Sequence, residues 1–139
     1  MSRSFCGRLL IVLGLAAGAA ACGSSSTPTT PTTPTPTVTD TFNGTLNQNG
    51  ATTFSFTAAA SGSISATLAT LAPDSTLKIG LSLGTWNGAA CTIVIANDGA
   101  TQGTAVGGNI NSAGNYCVRV YDIGNVTNPV TYTVTVTHP

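Results

Sequence analysis

The sequence predicts an all-β protein: a two-sheet antiparallel β-sandwich, jelly-roll-like, of seven to eight strands, set behind a cleaved leader and a disordered linker. Three observations predict it. From Val38 onward apolar residues recur with period two in short runs. Clusters of Gly, Asn, Asp and Pro separate those runs. No segment carries an apolar 3.6 period between helix caps. Short strands with one polar face each must bury the other, and two sheets packed face to face do so.

Residues 1–21 come first, with Arg3 and Arg8, an apolar stretch from Leu9, and small residues before Cys22. That is the plan of an export signal. Leu9 to Ala21 is 13 residues, against the ~20 that cross a hydrocarbon core as a helix. Residues 22–37 continue as "CGSSSTPTTPTTPTPT", which has no large apolar side chain to order it and repeated prolines that favour polyproline II. It reads as a tether that holds a domain away from a surface.

The folded domain is predicted over 38–139. "DTFNGTL" is a first, weaker strand, followed by "TTFSFTA" with Phe54 and Phe56 on one face and "SGSISATL" with Ile64, Ala66 and Leu68 on one face. "LKIGLSLG" alternates Leu77, Ile79, Leu81 and Leu83 with Lys78, Gly80, Ser82 and Gly84. "CTIVIA" and "YCVRVYDI" are β-branched runs, and "VTYTVTVT" sets Val130, Tyr132, Val134 and Val136 against Thr131, Thr133, Thr135 and Thr137. "NQNG", "ASG", "APDS", "NDGATQG", "NSAGN" and "GNVTNP" read as turns, and Trp86 falls in a loop, "GTWNGAAC". Charge is scarce, so bulges or loops are expected to protect the sheet edges in its place.

Only four basic and four acidic side chains occur in 139 residues, where roughly a quarter are normally charged. Beyond the leader, Lys78 and Arg119 stand against Asp40, Asp74, Asp98 and Asp122. A basic surface for nucleic acid is therefore excluded, because phosphate neutralisation needs several Lys or Arg. Glu is absent and His138 is the single histidine. Paired-carboxylate or Ser-His-Asp hydrolysis thus has little material, and the chain is expected to be no enzyme. His138 itself, next to the last residue, is expected to fray.

"AAAC" followed by Gly23 resembles the lipobox of bacterial lipoproteins, with Ala19 in place of the larger aliphatic residue usual there. The resemblance implies that Cys22 is acylated and becomes the first residue, and that Gly23 directs the protein to the outer membrane. Each buried acyl CH₂ adds ~0.8 kcal/mol to such an anchor. Ala19-Ala20-Ala21 also satisfies the A-x-A rule of ordinary cleavage, so a secreted soluble form is the alternative. With Cys6 removed and Cys22 lipidated, Cys91 and Cys117 remain as a pair in an oxidising compartment, and a disulfide is expected. Strand parity sets Cys117 with Arg119 and Tyr121, but Cys91 with Ile93 and Ile95. A bulge, or a Cys91 lying just before its strand, would reconcile the two faces.

"FNGTL", "TTFSFTA", "SGSISATLATLAPDSTLKIGLSLG" and "GNYCVRVYDIGNVTNPVTYTVTVTHP" together resemble the bacterial pre-peptidase C-terminal (PPC) domain. That family is similar to carbohydrate-binding jelly-roll sandwiches and ends typically in AGxYxVRV followed by YxVxV. The resemblance implies a noncatalytic accessory sandwich, commonly attached to secreted enzymes, and no attached enzyme is expected here.

The residues thus point to a lipid-anchored binding or structural module at the bacterial cell envelope, its partner another envelope protein. The alternative is a carbohydrate-binding module, in which Trp86 and Tyr121 stack on a glycan and Arg119 hydrogen-bonds it. A third reading is an accessory domain acting with a secreted hydrolase. No cofactor is expected. Ca²⁺ is considered only at Asp98 in "ANDGAT" and Asp122 in "YDIGN", which lack a calcium-loop pattern and read first as turn formers, as does Asp74 in "APDST".

Overall fold

The computed structural model describes residues 33–139; the leader, Cys22 and the linker up to residue 32 lie outside the described residues. Eight strands follow one another: β1 (Val38–Leu46), β2 (Ala51–Ala58), β3 (Gly62–Ala72), β4 (Ile79–Trp86), β5 (Cys91–Ala100), β6 (Ala105–Ile110), β7 (Gly114–Tyr121) and β8 (Val130–His138). All but one coincide with the period-two runs. The exception, β6, has the sequence AVGGNI, in which Gly107 and Gly108 hide the alternation that marks a strand.

The strands form two four-stranded sheets, ordered β1-β8-β3-β6 and β2-β7-β4-β5, and all pairings are antiparallel. Every connection except the β4–β5 hairpin passes from one sheet to the other, which is the jelly-roll plan. The sequence-level fold class is the observed one.

The core lies between the sheets and follows the expected parity. Val130, Tyr132, Val134 and Val136 of β8 join Ile79, Leu81 and Leu83 of β4 and Val118 and Val120 of β7 in one buried cluster. Ile64, Ala66 and Leu68 of β3 complete the middle of the core. Burying each such Val, Leu or Ile side chain contributes about 1.5–3 kcal/mol. The alternate threonines of β8 point outward and are exposed or half-buried, as an outer face requires.

The C-terminal end of β8 departs from expectation. His138 continues the inward set two residues beyond Val136 and is 3 % exposed rather than frayed. Its ring stacks on Phe56 at 5.0 Å, its Nε2 lies 3.1 Å from Asp40 Oδ2 and its Nδ1 lies 3.1 Å from the Pro139 carbonyl oxygen. The Ala59 amide donates to that same carbonyl. Ladder pairing to β1 through Val38↔His138 carries the strand to this point, so fraying would break a continuous register.

Candidate functional site

β5 shapes both candidate regions, because it is an edge strand with two bulges against β4. In the first, Leu83 pairs with Ile95 and Gly84 with Ile93, leaving Val94 as the extra residue. Leu83 faces the core, so Ile95 faces inward while Ile93 and Cys91 turn to the outer face of the sheet. Cys117, which alternates with the buried Val118, lies on that outer face and pairs beside Gly84. The Thr92 carbonyl occupies the place a Cβ at Gly84 would take. β5 therefore leans over β4 there, and Cys91 bonds Cys117 in a disulfide. The bulge resolves the parity conflict, and it separates Ile95 from the face that Cys91 and Ile93 share.

The second bulge lies between Ile79 and Leu81, whose partners are Ala100 and Asn97. Asn97 Oδ1 accepts from the Gly99 amide at 2.8 Å, which closes the local turn. "NDGA" is thus a bulged strand end rather than the loop expected. Asp98 is delivered to the outer face, where it accepts a hydrogen bond from the Tyr121 hydroxyl. The Tyr121 ring lies over Gly80, where any Cβ would collide with it, and the Arg119 guanidinium stands 5.5 Å from the ring centroid. Burial and the Asp98 carboxylate push the Tyr121 phenol up to about 12.

The structure brings Asp98, Arg119 and Tyr121 together but sets Trp86 apart. Trp86 is the half-buried last residue of β4 beside the disulfide, not a loop residue, and about 20 Å along the strand from Gly80. The two aromatic side chains do not meet as one stacking platform, and Gly80 and Arg119 already flank the Tyr121 ring. Asp122 works as a loop organiser: its Oδ1 accepts from the amides of Gly124, Asn125 and Val126 at 2.8–3.0 Å and its Oδ2 from Asn49 at 2.8 Å. Burial pulls its pKa up, but these backbone donors outweigh that and hold it below the ordinary value. Asp74 caps its turn through the Thr76 hydroxyl and amide, which hold its pKa down. Among the described residues no three His, Cys, Asp or Glu side chains gather to hold a metal.

A concave feature of the surface lies elsewhere, between the edge strands β5 and β6. A groove of about 320 Å³ opens there, lined by Ile64, Leu83, Ile95, Ile110 and Tyr116 among others, with no charged residue in its wall. Its depth has a local cause. Val106, Gly108 and Ile110 are the inward positions of β6, paired with Ala66, Ile64 and Gly62. Gly108 supplies no side chain, and a Cβ there would meet nothing within 4 Å. Along its β5 side Val94 and Ile95 are 75 % and 39 % exposed. Sequence reasoning misses this site because "CTIVIA" reads as an ordinary sandwich strand and "AVGGNI" as no strand at all. The one available signal is an apolar run without charge, followed by a Gly-Gly pair.

No protein-family model matches the chain, and no curated protein matches it. Among solved structures it is similar to Aeromonas hydrophila PliG, described as a periplasmic lysozyme inhibitor of g-type lysozyme. The TM-score is 0.51 at 15 % identity, covering 70 % of this chain and 83 % of that one. The likeness is one of fold.

Proposed function

We propose that the chain is a noncatalytic binding module of the bacterial cell envelope, lipid-anchored through Cys22, that engages another protein at its open β5/β6 edge. The observation that carries this reading is the uncharged, largely apolar groove lined by Val94 and Ile95 on an edge strand. Contiguous apolar surface of this kind marks an interaction site. The fold likeness adds support, because PliG is described as an inhibitor of another protein. The side chains that would serve catalysis have structural partners instead: His138 with Asp40, Asp98 with Tyr121, and Asp122 with four backbone amides. The PPC-like assignment of 38–139 and placement at the outer membrane belong to the same proposal and rest on the sequence motifs.

A photo-crosslinking residue at Val94 tests the binding reading in the intact envelope. It should yield an adduct with a second protein that the same probe at Thr41, on the opposite edge, does not. No adduct at Val94, or equal adducts at both positions, overturns it. The anchor is tested by intact mass of the mature protein, which should be acylated at Cys22 and lose the modification in Cys22→Ala; an unmodified wild-type chain refutes it.

A further inference from the structure

We infer that the β5/β6 groove receives an extended, uncharged segment of the partner protein, which adds as a strand to β6 and seats one bulky apolar side chain in the slot at Gly108. The inference rests on the binding reading above and names the chemistry of the occupant.

Three features select that occupant. The first is the backbone. β6 pairs with β3 on one side only, and does so through Ala105–Ile110 without a register shift. β5 is also an edge, but its bulges at Val94 and at Asp98–Gly99 break the regular array of donors and acceptors. An added strand therefore has its regular template on β6.

The second feature is the open space at Gly108. Any strand beside β6 would alternate its side chains between the outer face and the groove. The inward ones would meet Ile95, Ile110 and Tyr116, and the space opposite Ile64 is unfilled because Gly108 has no side chain. Leu or Phe fits such a slot, whereas Ala leaves it empty.

The third is charge. The groove wall has no ionised group, its polar members Thr85, Asn109, Asn111 and Ser112 being neutral, so a Lys, Arg, Asp or Glu carried inward would lose hydration with no opposite charge to replace it. Neutral segments bind and charged ones are rejected, which gives specificity by exclusion.

The test uses acetylated, amidated heptapeptides of the pattern Thr-Val-Thr-X-Thr-Val-Thr, with X as Ala, Leu, Phe or Lys, titrated into the intact protein. The Leu and Phe peptides should bind about tenfold tighter than the Ala peptide, the effect of burying one such side chain. The Lys peptide should bind no better than Ala, and bound peptide should slow hydrogen exchange of β6 amides but not of β1 amides. Gly108→Val, which fills the slot, should abolish the preference for Leu and Phe while retaining the wild-type circular dichroism and melting temperature or raising the latter. Equal affinities across the four peptides, protection on β1, or an unchanged preference in Gly108→Val overturns the inference. Sedimentation supplies a further outcome: self-association that Gly108→Val removes would make a second copy the occupant and overturn the partner segment. A Val94 crosslink to another protein that persists when the peptides fail would leave the binding reading standing and refute the strand alone.

Discussion

At the β1/β2 edge, Phe42 and Phe54 stack with ring centroids 4.9 Å apart, and Tyr132 meets Phe54 edge-on at 6.5 Å. At the β5/β6 edge the inward positions include Gly108 and Ile95, and a groove remains between the sheets. The same sandwich is thus closed on one side by large side chains and left open on the other. The strands at the two edges are also held differently. β2 contributes the buried Phe56, while β5, though ten residues long, buries only Ala100 fully. Apolar packing cannot hold β5; its ladder to β4 and the Cys91–Cys117 bond do. An edge attached by covalent and backbone links can leave its side chains free for a partner.

Removing the attachment of the open edge should have the largest effect. Cys91 and Cys117 close a span of 26 residues, so replacing both with Ser should lower stability by about 3–4 kcal/mol in the loop-entropy view. Denaturant titration measures the loss, and hydrogen exchange should show β5 opening before β2. A loss below about 1 kcal/mol would mean that packing holds β5 after all.

On the closed side, Phe54→Ala should cost about 3 kcal/mol, because it removes a ring that packs on two others. The matching change on the open side, Val94→Ala, should stay within about 0.5 kcal/mol, since Val94 is 75 % exposed. Equal losses would erase the contrast between the edges. Gly108→Val should raise stability by about 0.5–1 kcal/mol, by reducing backbone freedom in the unfolded chain and covering apolar surface. A drop in melting temperature would instead show that the groove has no room for the added methyl groups.

The smallest effect lies on the outer face of the β5 sheet. Tyr121 should ionise near pH 12 in a spectrophotometric titration, above the ordinary phenol value, and Asp98→Asn should move it down. The folded state favours the protonated phenol, so its contribution to stability is complete below about pH 10 and is lost as pH rises towards 12. A Tyr121 titration unchanged in Asp98→Asn would show that the bulge does not hold Asp98 against it.

Much of this architecture is legible in the residues. The alternation of "VTYTVTVT" and "LKIGLSLG" identifies the inward faces of β8 and β4, because a strand turns successive side chains to opposite sides whatever its neighbours. The same rule extended by two residues places His138 in the core, where the expectation of a frayed end goes astray. β6 is not legible, since a strand without side chains at Gly107 and Gly108 shows no alternation to read. The outer-face cluster is legible only in pieces: Asp98, Arg119 and Tyr121 stand out as separate candidates, and their assembly over Gly80 depends on a bulge that follows from pairing.

Local periodicity was enough to settle the fold class and the inward faces of most strands, and setting Cys6 and Cys22 aside by the leader pattern and the lipobox resemblance left Cys91 and Cys117 as the disulfide pair. The fold class and the inward faces are written in near neighbours along the chain. Which strands lie at the edges, where the two bulges of β5 fall and that Gly108 faces a groove came only with the folded arrangement. Those features depend on which distant segments lie side by side, and alternation within a strand carries no information about an absent neighbour. The open edge is such an absence, visible once the strands on either side of it are in place.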